Sequence, residues 1–244
     1  PIIREIEKNK KFQYKIVVTD MHLSKTFGNT LDEIKLYSRK IHEIKTNSIE
    51  DGSSNRAKLI STIIIKMKEY LNFYKPNFLV VLGDRSEVLG AAIASLHSNV
   101  PLVHMYGGDI TQGGTDEPTR HAITKLSHIH LTSNKSSFRN VLNLSEEKWR
   151  VFNIGFTSLD LFREKNLFYK KNFIFKKYKL NENLPLLILI QHSVTWQIND
   201  SRKQIIATLK ALQALKVQIL AIYPCSDPGY LNIIKELKKT NKMY

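Results

Sequence analysis

"FLVVLGDRSEVLGAAIASLHSNVPLVHMYGGD", residues 78–109, is the stretch on which the fold turns. Phe78, Leu79, Val80, Val81 and Leu82 form an unbroken apolar run after Pro76, the pattern of a parallel strand covered on both faces. Gly83-Asp84-Arg85 ends that run, so Asp84 stands at a strand's carboxyl end. Residues 87–97 then read as a helix that packs through Leu89, Ala91, Ala92, Ala94 and Ser95, small enough for close approach to a sheet. Pro101 opens a second strand, 102–105, which ends in Gly107, Gly108 and Asp109. Two acids therefore project from one rim of one sheet, the rim at which open α/β sheets bind ligands.

The pattern extends outward in both directions. Residues 14–19 read as a strand and "DMHLSKTFGNT" as the loop after it. Over 53–74, Leu59, Ile63, Met67 and Leu71 recur at helical spacing, with Pro76 beyond the end. Downstream, a helix through 120–125, a strand at 129–132, a helix at 136–142 and a strand at 151–154 follow. Strands at 186–190 and 217–222 and helices at 204–215 and 231–239 resume the rhythm after a charged, aromatic stretch. Alternating strands and helices predict parallel, doubly wound sheets. The expected organisation is a first domain over 1–161, a linker over 162–183 and the start of a second domain over 184–244.

At 244 residues and 42% hydrophobic, the chain is able to bury a full core. Its apolar runs are too short to span a bilayer, and neither a membrane nor a secretory leader is expected; the sequence reads as cytoplasmic. The single cysteine, Cys225, excludes an internal disulfide. A formal net charge of +15 raises the question of nucleic acid. The lysines are spread along the chain, densest in "KKNFIFKKYK" and "KELKKTNK", without a zinc-finger, helix-turn-helix or aromatic RNA-binding pattern. No nucleic-acid partner is expected, and an anionic small substrate profits from the same field.

"TDMHLSKTFGNT", "LGDRSEVLGAAIAS", "GGDITQGGTDEPTRHAITKLSHIHLTSN", "RVFNIGFTSLD" and "ILIQHSVTW" resemble, in order and spacing, successive blocks of the hydrolysing UDP-N-acetylglucosamine 2-epimerases. The resemblance implies a GT-B-like α/β fold of two Rossmann-like domains with parallel sheets, both incomplete in this chain. It also implies a UDP-sugar substrate held in the cleft between them, no cofactor, no metal, and a homodimer as the intact form. The reaction it implies is loss of UDP from UDP-GlcNAc, or a related UDP-acetamido sugar, and hydration to a mannosamine for sialic-acid-type synthesis. By the same resemblance Asp84, Asp109, Asp116 and Glu117 are the catalytic acids, with His192 facing the cleft to donate to the diphosphate or protonate the leaving oxygen. His22, Arg85, Gly107, Gly108, Arg120 and His121 fall among the substrate-binding positions.

The chemistry needs acids at this rim. Breaking the anomeric C–O bond develops positive charge at C1 while the C2 proton leaves to give a glycal. One carboxylate stabilises the cation and another takes the proton. Asp109 and Asp116 stand as alternatives for the base, with Asp84 as electrostatic support or acid for water addition. A bland reading exists for each: strand-end aspartates form turns and caps, and Asp116 favours a helix start. His128 and His130 alternate along a strand and so are expected to share a face.

Asp109 replaces the family's usual glutamate with one methylene fewer, and Cys225 stands in place of its usual asparagine. The family's opening strand with its Gly-Thr-Arg-Ala-Glu-Tyr type loop, and its serine- and glycine-rich nucleotide loop, are not matched. On that reading the 244 residues alone carry little or no epimerase activity. Rival functions are a non-hydrolysing epimerase that re-adds UDP, a GT-B glycosyltransferase, and an inactive or basic nucleic-acid-binding protein.

Overall fold

The computed structural model describes residues 1–46, 53–112, 114–163 and 169–240; the side chains of 26, 53 and 54 are not among them. Gly113 and residues 164–168 of the expected linker lie outside the described residues. The chain divides into two compact units, Pro1–Asp160 and Leu161–Tyr244.

The first unit runs α1 (Ile2–Lys8), β1 (Ile16–Thr19), α2 (Leu31–Tyr37), β2 (Ile41–Ile44), α3 (Ser53–Tyr74), β3 (Leu79–Leu82), α4 (Ser86–His97), β4 (Leu102–Met105), α5 (Asp116–Leu126), β5 (Ile129–Thr132), α6 (Lys135–Asn143) and β6 (Val151–Asn153). Strands β3, β4, β5 and β6 pair in that order, all parallel, and β1 pairs with β2 in a separate parallel ribbon. The long helix α3 serves both sheets. Its stripe of Leu59, Ile63, Met67 and Leu71 is buried in one core with Ile44 of β2 and Val81 of β3. Gly90 is where α4 meets α3, because a Cβ there would lie 2.9 Å from Cγ2 of Ile63 and 3.0 Å from the carbonyl of Ile60. Small residues in α4 thus set how closely the two helices approach.

Two expectations need correction. Strand β3 is covered on one face only: Val81 is buried, while Phe78, Val80 and Leu82 are each more than half exposed. The core of α3 and α4 takes the Val81 side, and alternation along the strand sends its neighbours to the other face. His128 and His130 do not share an environment either. His128 precedes β5, is exposed, and accepts the Leu102 N–H at Nδ1 (3.2 Å), whereas His130 is buried. The loop expected after β1 is two short 3-10 turns, and α2 and β2 follow where the sequence suggests no element.

The second unit holds α7 (Lys171–Lys177), β7 (Leu186–Ile190), α8 (Ser201–Gln213), β8 (Gln218–Ile222) and α9 (Tyr230–Thr240). Strands β7 and β8 are parallel, in register from Leu186↔Gln218 to Ile190↔Ile222. Leu189, Ile205, Leu209, Ile233 and Leu237 form its core, so α8 and α9 cover one face, and Ile188 and Ile190 on the other are more than half exposed. Among the described residues no helix is long and apolar enough to cross a membrane.

Candidate active site

Asp84 follows β3 and Asp109 follows β4, adjacent parallel strands in register at Leu82↔Met105. The two acids thus emerge side by side on one rim. Arg120, on α5 and 5% exposed, joins them. Its Nε donates to Asp84 Oδ2 at 2.8 Å, and one of its terminal amino groups, Nη2, pairs with the same oxygen. Nη1 donates to the Asp109 backbone carbonyl at 2.5 Å, and Nη2 also reaches Thr111 Oγ1 at 3.0 Å. A guanidinium presents five donors in a planar fork, which is what one carboxylate, one carbonyl and one hydroxyl at this corner require. Asp84 therefore pairs with Arg120 and not with its neighbour Arg85.

The Asp109 carboxylate is held from the other side. Ser137, in the first turn of α6, donates its hydroxyl to Asp109 Oδ1, and Asn140 donates to the Gly108 carbonyl at 2.8 Å. Gly108 has φ +88°, and a Cβ there would lie 2.2 Å from the Ser137 carbonyl oxygen. At Gly107 a Cβ would meet Thr124 Oγ1 at 2.9 Å and His104 Nδ1 at 3.0 Å. The glycine pair thus lets α6 and the His104 side chain close on the backbone that carries Asp109.

The remaining acids and bases divide by position. Asp116 and Glu117 begin α5, where the helix dipole favours negative charge. Glu117 Oε2 accepts the Thr111 N–H at 2.6 Å and its Oε1 lies 3.5 Å from His121 Nε2, so it pins the loop after Asp109. Arg85 bonds Glu87, lies 3.5 Å from Asp20 and donates to Met21 Sδ at 3.1 Å; it ties the end of β3 to the loop after β1. His22 sits in that loop, exposed, with Nδ1 2.6 Å from Thr30 Oγ1. His192 lies in the second unit, after β7, with Nδ1 3.3 Å from Cys225 Sγ.

Four side chains in the first unit escape sequence reading. Ser137 and Asn140 stand 28 and 32 positions from the residues they hold, and no local pattern announces them. His104, fully buried on β4, points Nε2 at the Gly83 carbonyl (2.8 Å), next to Asp84. Burial pushes its pKa down to about 4, against the opposing pull of that carbonyl. Tyr106 takes φ +65° between β4 and the glycines, and its hydroxyl lies 2.7 Å from Thr157 Oγ1. An apolar strand followed by Tyr-Gly-Gly is the one signal that points to it.

Parallel sheets in both units, with carboxylates on a strand-end rim, define a GT-B-like α/β protein. The chain belongs to the UDP-N-acetylglucosamine 2-epimerase family, whose sequence pattern matches residues 4–244. It is 31% identical over 229 residues to the UDP-N,N'-diacetylbacillosamine 2-epimerase (hydrolyzing) of Legionella pneumophila, covering 93% of this chain and 60% of that protein. It is 32% identical over 215 residues to the GDP/UDP-N,N'-diacetylbacillosamine 2-epimerase (hydrolyzing) of Campylobacter jejuni, covering 88% of this chain and 56% of that protein. Its fold is similar to that of the Methanocaldococcus jannaschii UDP-GlcNAc 2-epimerase in complex with UDP-GlcNAc and UDP: TM-score 0.77, 19% identity, 99% of this chain and 65% of that one. The chain spans about three-fifths of the length of these two curated relatives.

Proposed function

We propose that the protein to which this chain belongs is a hydrolysing 2-epimerase of UDP-linked acetamido sugars, releasing UDP and a 2-epimerised free sugar for nonulosonic-acid synthesis. The observation that carries this reading is Arg120, which binds the Asp84 carboxylate and the Asp109 backbone together and so presents two acids at fixed spacing from one rim. Similarity to two hydrolysing enzymes supports the reaction type.

In this reading the bond from C1 to the leaving UDP oxygen breaks, the C2 proton goes to a carboxylate, and the electron pair of the C2–H bond forms the C1=C2 double bond of a glycal. Water then adds its oxygen to C1, and C2 regains a proton on the opposite face. Asp109 suits the base: a short side chain, oriented by Ser137 and carried on a backbone locked by Arg120 and Asn140. Asp84, bound through Oδ2 to a buried guanidinium, suits electrostatic support at C1. Glu117 holds the loop after Asp109, and Asp116 is the alternative base. His192 serves the diphosphate or the leaving oxygen, and Arg85 with His22 shapes the loop after β1.

The test is incubation with UDP-GlcNAc and with a UDP-diacetamido sugar in heavy water, using this chain and a version extended at both ends with the matching segments of a relative. Free 2-epimerised sugar carrying deuterium at C2 is the expected product of the extended version. An epimerised UDP-sugar would assign the non-hydrolysing reaction, and product without label would exclude elimination.

A further inference from the structure

The carboxyl rim of the second unit carries a set of three donors of which the epimerase reading uses His192 alone. His192 stands two residues beyond β7, and Cys225 and Asp227 stand three and five residues beyond β8. The register Ile190↔Ile222 brings the two loops side by side. The Cys225 sulfur lies 3.3 Å from His192 Nδ1 and 2.7 Å from Asp227 Oδ2, and the three donor atoms all lie within 4.8 Å of one another. The loops are also tied by the Ser193 side chain, whose Oγ donates to the Asp227 carbonyl at 3.2 Å, and the Tyr230 N–H bonds the same carbonyl at 3.0 Å from within the second loop.

We propose that His192, Cys225 and Asp227 form a binding site for one divalent transition-metal ion of the zinc class, with water in the fourth position. Zinc takes sulfur at about 2.3 Å and nitrogen or oxygen at about 2.0–2.2 Å, so the edges of its tetrahedron run about 3.3–3.8 Å. The nitrogen–sulfur edge has that length already, and the carboxylate needs to retreat by about 1 Å. A thiolate, an imidazole and a carboxylate form a donor set that favours zinc or cobalt over magnesium or calcium. Binding takes the thiol proton: the sulfur's electron pair forms the metal bond and one proton passes to solvent. If the epimerase reading holds, the ion also occupies the imidazole meant for the diphosphate, and zinc acts as a reversible inhibitor; that consequence alone rests on the proposed function.

Cobalt titration of the metal-stripped 244-residue chain tests the site without reference to activity. One equivalent of Co2+ is expected to raise a thiolate-to-cobalt charge-transfer band with tetrahedral visible absorption, and one equivalent of Zn2+ to remove it. Cys225→Ser and Cys225→Ala are expected to abolish the charge-transfer band, and His192→Ala to abolish stoichiometric binding, with far-ultraviolet circular dichroism unchanged. Absence of the band in the parent chain, or its survival in either Cys225 variant, would overturn the proposal. An extended enzyme that is inactive when free of metal, while the chain shows the band, refutes the epimerase reading alone; an active extended enzyme, with no band from the chain, refutes the metal site alone.

Discussion

Acid should destabilise the first unit through His104, and the size of the effect follows from its surroundings. The side chain is fully buried on β4, with Nε2 2.8 Å from the Gly83 carbonyl and Nδ1 3.2 Å from Thr124 Oγ1. A carbonyl only accepts, so Nε2 of the neutral ring carries the proton and donates it to Gly83. Burial lowers the pKa from 6.5 to about 4, with nearby His130 and Arg120 adding to the effect. Above pH 6.5 the ring is neutral folded or unfolded, and the full stability is present. Between pH 6.5 and about 4 the unfolded chain binds a proton that the folded one refuses, so stability falls by about 1.4 kcal/mol per pH unit, about 3 kcal/mol in all. Below about pH 4 this group costs nothing further. Against a total of about 5–15 kcal/mol the loss is large. Urea unfolding of the parent and of His104→Gln between pH 7.5 and 4.5 measures it. The glutamine keeps an N–H for Gly83 and cannot titrate, so the parent's slope is expected to exceed the variant's by about 1.4 kcal/mol per pH unit. His130, also lowered by burial, titrates in both proteins. Equal slopes, or an imidazole resonance of His104 that titrates near 6.5, would refute the reasoning.

Other expectations follow from the same geometry. Gly108→Ala places a Cβ 2.2 Å from the Ser137 carbonyl at φ +88°, and thermal unfolding should report a loss of about 2–4 kcal/mol. Glu146 is the buried partner of Lys125 (2.6 Å) and Arg150 (2.5 Å), so Glu146→Gln should cost about 3 kcal/mol in denaturant unfolding, and a loss under about 0.5 kcal/mol would show the network to be idle. In the extended enzyme, Asp109→Asn should cut kcat by about 100-fold or more with UDP binding by calorimetry unchanged; near-normal turnover would pass the base role to Asp116. Ser137→Ala, which only orients Asp109, should lower kcat by about 10-fold and leave UDP affinity alone.

Chemistry in the sequence was legible wherever it is local. The unbroken run at 78–82, the small residues of α4 and the Gly-Gly-Asp stop after β4 determine strand, helix and turn from neighbours alone, and their alternation requires parallel pairing. Asp84 and Asp109 fall on one rim for the same reason, because parallel strands end on the same side. The elements that stayed hidden are those with weak local preference. Helix α2 spans seven residues with Leu36 and Tyr37 exposed, and β2, Ile-His-Glu-Ile, mixes charge into a four-residue strand. So short a helix is marginal in isolation, and β2 is secured by pairing with β1 and by packing Ile44 under α3. Side-chain partnership was the larger gap. Asp84 chooses Arg120, 36 positions away, over the adjacent Arg85; Asp109 takes Ser137; His192 meets Cys225, 33 positions off. Which donor reaches which acid depends on strand register and on the side of the sheet where a helix lands. Those are set by packing across the whole unit, so residue types and their rim were readable from the sequence, and the pairings were decided in three dimensions.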